Sequence, residues 1–162
     1  MSTGSDEESP FWSPGFDPRA ARRLLLLVAL AFVPWTVILG PDLTLVFPFG
    51  LVNDNPWFLV RVDDYLRLSS YGRFAFIDAW LIGAGLYAVA LLSALGGVAG
   101  VEDRRLTGGL LVFAGVSQFP LALGFSRRTG YVGLPVGSLF LLAAAWWLYW
   151  SDVRAWVGAR VE

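Results

Sequence analysis

The run LLLLVALAFVPWTVILGPDLTLVFPFGLV, residues 24–52, decides how the chain is read. Its first eighteen residues, Leu24 to Pro41, carry no charge. At 1.5 Å per residue, a helix of that length comes close to crossing a hydrocarbon core of ~30 Å. Arg22 and Arg23 precede it, so Arg-Arg-LLLLVALA also imitates the start of a secretory signal, with Ala29-Leu30-Ala31 as a cleavage site. Cutting there leaves an apolar run of only five residues, against the roughly 7–15 that a signal needs. The expectation is a retained first membrane helix over 24–41, eased at Pro34. The continuation LTLVFPFGLV (43–52) is apolar and β-prone, too short to span as a helix, and broken by Pro48 and Gly50. It leads through the turn signal Asn53-Asp54-Asn55-Pro56 into VRVDDYLRLSSYGRF (60–74), where charge mixes with aromatics. We read 42–79 as one long loop packed on the outer end of a bundle, with Tyr65, Leu66 and Phe74 dipping into the interface. A re-entrant segment over 43–52 is the other reading, because irregular backbone at depth must be covered by protein.

The rest of the chain supports a membrane class. Of 162 residues, 56% are hydrophobic and 15% charged, and the charges fall between apolar runs instead of alternating with them. Three further uncharged runs follow: Trp80–Val101, Leu106–Ser126 and Thr129–Trp150, each of 21 or 22 residues. The connections Glu102–Arg105 and Arg127–Arg128 are short, which makes these runs antiparallel neighbours. The expected fold is therefore all-α: four transmembrane helices (about 24–41, 80–101, 106–126 and 129–150) in an up-down bundle. A disordered acidic tail, 1–20, precedes the membrane domain 21–151, and a short tail, 152–162, follows it. Seven arginines lie on the side of both termini and five on the other, so the positive-inside rule puts both termini in the cytoplasm.

Composition also excludes chemistry. With no cysteine and no histidine, disulfides, thiolate nucleophiles, imidazole metal sites and His-based acid–base catalysis are absent. All twelve basic residues are arginine, and net charge is −1, so there is no basic face for nucleic acid. No cofactor or metal motif is present. The expected partners are the lipid bilayer and a membrane-protein partner or second copy.

Counting depth from the span ends places Thr36, Tyr87, Gln118 and Ser138 at one level near the midplane, with Pro34, Pro120 and Pro135 close by. Two readings remain open for this polar layer. One is interhelical glue, in which Gln and Ser re-satisfy backbone groups freed by proline. The other is a small polar cavity that binds or conducts something. Asp78 adjoins the second span and is expected at the interface, paired with Arg73 or Arg127. Asp63-Asp64 is too small a set for a divalent cation on its own. Glu102-Asp103-Arg104-Arg105 reads as a solvated, self-paired turn. Small residues at Ala90/Ala94, Ser93/Gly97 and Gly96/Gly100 allow close backbone approach, by default within the chain and otherwise to a second copy. Trp146, Trp147, Tyr149 and Trp150 read as an aromatic belt at headgroup level.

The phrases VPWTVILG (33–40), LTLVFPFGLVN (43–53), EDRRLTGGLLVFAG (102–115), SQFPLALGFSRRTGY (117–131), LPVGSLF (134–140) and AWWLYW (145–150) occur in this order. In that combination the chain resembles a small haloarchaeal family of predicted multi-pass membrane proteins, often encoded beside archaeosortase. The likeness runs from about residue 22 to 150. That family has no established activity, so it lends no catalytic residues; its neighbourhood implies an accessory part in surface-protein processing or lipid anchoring. The sequence thus points to a non-enzymatic accessory or interaction protein of the cell envelope. A small transporter or channel-like oligomer using the polar layer is the alternative.

Overall fold

The computed structural model describes residues 18–68 and 75–158, so most of the tail at 1–20, and Arg73, lie outside the described residues. Helix α1 (Pro18–Leu30) is only 13 residues long. Beyond it the chain tightens into three-residue turns, Ala31 N–H to Val28 O and Phe32 N–H to Ala29 O. Pro34 then has no N–H to offer, and it biases Val33 toward extended backbone. From there the β-branched run Thr36-Val37-Ile38 forms strand β1 (Thr36–Leu39). The predicted first span is therefore helix as far as Leu30 and strand from Thr36 to Leu39.

The predicted loop is a meander. Strands β2 (Thr44–Phe47) and β3 (Gly50–Asp54) turn at Pro48-Phe49, and β4 (Trp57–Arg61) follows after Asn55-Pro56. Short helix α2 (Val62–Leu68) comes next. After it α3 (Ala75–Val98), α4 (Arg104–Val116) and α5 (Gln118–Ser126) follow; the last two make one rod of 23 residues interrupted at Ser117. Strand β5 (Val132–Leu134) precedes α6 (Val136–Gly158). The five strands form one antiparallel sheet in the order β4-β3-β2-β1-β5.

The all-α expectation is thus overturned: the fold is mixed, a five-stranded antiparallel sheet joined to a layer of helices. Among the described residues two helices, not four, are long and apolar enough to cross a membrane: α3, and the α4–α5 rod. Of the other two predicted spans, α1 is too short and the fourth begins as a strand, leaving Val136–Trp150 as its apolar helix. The predicted C-terminal tail is in part the end of α6, and residues 18–20 belong to α1. Neither hydropathy nor length distinguishes an apolar strand from a piece of helix, and there the prediction failed.

Packing ties the two layers together. Helix α3 runs antiparallel to the α4–α5 rod, with Trp80 beside Leu121, Gly83 against Ser117 and Gln118, and the Ser93 and Thr107 hydroxyls 2.7 Å apart. Ala90 and Ala94 are in the central core with Tyr87, Leu111 and Ala114, so this small-residue stripe serves contacts inside the chain. Ile38 and Val46 of the sheet pack on Trp80 and Leu121. The Trp80 indole donates to Phe47 O at 2.9 Å. Backbone bonds from Trp35 N–H to Val46 O and from Gly137 N–H to Trp35 O fasten the sheet to α6.

Candidate functional site

All four members of the predicted polar layer are buried, though Thr36 arrives there on a strand, not on a helix. Tyr87, Gln118 and Ser138 each have a different hydrogen-bond partner. Tyr87 Oη donates to Leu27 O, one of the last carbonyls of α1, which have no helical partner of their own. Ser138 Oγ donates to Gly115 O at 2.8 Å, and Ser117 Oγ donates to Ala114 O at 2.7 Å. These are the carbonyls beside the interruption, where Pro120 cannot donate to Val116. Gln118 Nε2 donates to Ser117 Oγ at 3.1 Å. Gln118 Oε1 and Thr36 Oγ1 are buried without a hydrogen-bond partner among the described residues. Gly83 makes room for this cluster: a β-carbon there would collide with Ser117 Oγ and Gln118 Nε2.

The polar end of the bundle holds a cluster that sequence reasoning missed. Glu102 does not pair with its neighbours Arg104 and Arg105. Its Oε2 lies 3.0 Å from Arg23 Nη1, with side chains 5% and 13% exposed. Its Oε1 accepts from Tyr149 Oη at 2.9 Å. The short turn after α3 is free to fold inward because Asp103, not Glu102, caps α4, accepting from the N–H groups of Arg105 and Leu106. One carboxylate thereby joins α1, the α3–α4 turn and α6. The signal was available: Arg23 is one residue before the first apolar run and Glu102 one after the second, so depth counting puts them level. Tyr149 leaves the predicted aromatic belt, because Leu141, Ala145 and Tyr149 are spaced by four and all face inward.

Beside this cluster a groove of about 630 Å³ opens between α4 and α6. Gly108 and Gly109 form part of its wall, Val112, Phe113 and Leu142 continue it, and Arg105 stands at its polar end. Trp146 and Trp150 stack along it with ring centroids 4.1 Å apart. The two glycines differ. A β-carbon on Gly108 would meet Tyr149 Cβ at 2.8 Å, whereas one on Gly109 meets nothing within 4 Å.

The remaining predicted residues stay apart from these features. Asp78 lies in the first turn of α3 and Arg127 caps α5, which puts both at the sheet end of the bundle. Asp63 pairs with Arg61 at 3.0 Å on an exposed surface. No group of three or more acidic side chains gathers among the described residues. The arrangement offers hydrogen bonding, an ion pair and an apolar groove.

A family model described as a domain of unknown function, DUF8050, matches residues 5–159. No curated protein matches the chain.

Proposed function

We propose for this chain, which belongs to the DUF8050 family, a role as a multi-pass membrane protein of the cell envelope that acts as an accessory or interaction partner and not as a catalyst. One observation carries the membrane part. The apolar windows of α3 and of the α4–α5 rod are only 28% and 44% buried, less than the core helices of a water-soluble fold would be, which supports the membrane reading. Ile82, Leu92, Phe113, Leu139 and Trp147 all face outward, a surface that water would penalise and lipid accepts. The sheet is compatible with this setting. Strand β1 is paired on both sides, by β2 and β5, so its backbone groups are bonded as the edge of a hydrocarbon core requires.

The accessory part is supported by the self-contained bonding of the polar cluster and by the resemblance to proteins encoded beside archaeosortase. The transporter alternative has one observation in its favour, the unbonded Gln118 Oε1 and Thr36 Oγ1. Because the chain has no cysteine, single cysteines report topology without background. With both termini cytoplasmic, Val101→Cys labels from the cytoplasmic face and Trp57→Cys from the opposite face, in a protein that resists alkaline carbonate extraction. Release by carbonate, or labelling of both positions from one side, refutes the topology. For the role, copurification in mild detergent is expected to bring down a surface-processing enzyme. A deletion strain with unaltered surface-protein processing overturns that assignment, and a homo-oligomer with a wet central cavity replaces it with the transporter.

A further inference from the structure

The groove between α4 and α6 has chemistry of its own. Its volume falls within the ~300–1,000 Å³ of small-ligand sites, yet its wall lacks the converging polar groups by which such sites orient a soluble ligand. Polarity is confined to one end. Arg105 stands there, on the first turn of α4 and level with the Arg23–Glu102 pair. Trp146 and Trp150, stacked and partly exposed, occupy the same half, where indole rings favour the headgroup boundary. Away from Arg105 the groove is lined by Val112, Phe113 and Leu142. From Arg105 to Phe113 it runs about 12 Å at 1.5 Å per residue, less than half of a ~30 Å hydrocarbon core. A groove with cationic and aromatic groups at one end, apolar beyond, and open along its side fits an amphiphile entering from the bilayer.

We propose that the α4–α6 groove is a binding site for an anionic phospholipid, its phosphate at Arg105 and the upper part of one acyl chain along Gly109, Val112 and Phe113. The inference rests on the membrane reading above and names a ligand within it. Positive charge at the mouth selects the lipid class, since each Arg near an anionic headgroup contributes about 1 kcal/mol, a factor of about 5 in affinity. Gly109 keeps the floor open. A β-carbon there meets nothing within 4 Å, so a side chain can be added from the groove side, unlike one at Gly108, which strikes Tyr149.

The test uses the full chain purified in detergent, delipidated and titrated with phosphatidylglycerol or phosphatidylcholine, with bound lipid counted by native mass spectrometry. One phosphatidylglycerol is expected per chain, preferred about fivefold over phosphatidylcholine. Arg105→Gln removes the preference but keeps the chain bound, and Gly109→Phe abolishes retention of both lipids. Equal retention of the two lipids by the native chain overturns the headgroup assignment. Unchanged retention in Gly109→Phe overturns the groove. Far-UV circular dichroism and the unfolding midpoint establish that each variant is folded, and Gly109→Leu serves should the Phe variant fail. Carbonate extraction of the native protein separates the two ideas: an integral protein without lipid preference sinks the groove alone, and a released protein sinks the membrane reading.

Discussion

Replacing Glu102 by Gln isolates what the buried ion pair does. The exchange keeps the shape and an oxygen that still accepts from Tyr149, but it removes the charge facing Arg23 at 3.0 Å. The two side chains are 5% and 13% exposed, so solvent screening is small and the guanidinium is left largely buried without its counter-charge. Removing one partner of such a pair costs about 3–5 kcal/mol. Arg23 lies at the mouth of the bundle, which favours the lower end, about 3 kcal/mol. Arg23→Met strands the carboxylate instead and is expected to cost a similar amount. The double variant removes both charges and is expected to lose less than the sum, because neither partner is then left as an uncompensated buried charge. The coupling should reach about 2 kcal/mol. Unfolding by SDS in mixed micelles, followed by far-UV circular dichroism, measures all three. Additivity within about 0.5 kcal/mol would refute the claim that this pair ties α1 to the α3–α4 turn.

The same assay checks three further expectations. Gly108→Ala drives a β-carbon against Tyr149 and should cost about 1–3 kcal/mol, partly offset by helix propensity, while Gly109→Ala should be neutral or stabilise by up to about 1 kcal/mol. Equal effects at the two positions would show that α4 and α6 do not approach as described. Tyr87→Phe strips Leu27 O of its donor and should cost about 0.6–2 kcal/mol; no measurable loss would contradict that bond. Gln118→Leu gives up one hydrogen bond to Ser117 but also removes a buried, unbonded oxygen. It should stay within about 1 kcal/mol of the native protein, and a loss beyond about 2 kcal/mol would mean that Oε1 is bonded in the membrane to something outside the packing described.

Hydropathy identified the apolar stretches but not the backbone they adopt. The runs at 80–101 and 106–126 were legible as helices because apolar stretches of that length suit a spanning helix, whereas the equally long run at 129–150 opens as a strand. The strand at 36–39 was hidden inside an equally apolar run. Only Pro34 followed by Thr36-Val37-Ile38 distinguished it, and the proline was read as a kink. Strand β5 is three residues long, too short for any periodicity, and it exists because β1 offers it an edge. The turn signal at 53–56 was visible and does join β3 to β4, but a turn alone does not say which strands it connects. Thr36, Tyr87, Gln118 and Ser138 are all buried, but depth counting addressed only their level along the expected spans. It could not give their partners, because a side chain's choice among nearby carbonyls depends on rotation about each helix. Glu102 was misread by preferring sequence neighbours over spatial ones.

The pairing of β1 with β5 sets an order of assembly. Leu39 and Val132 sit side by side, yet about ninety residues separate them in the chain. At roughly 5–20 residues per second of synthesis, β1 waits several seconds for the strand that covers its outer edge. Until then it presents unpaired N–H and C=O groups along that outer edge, the kind of edge that invites foreign strands. A chain cut short before Val132 retains an open edge on β1, because β5 is the strand that pairs with it there.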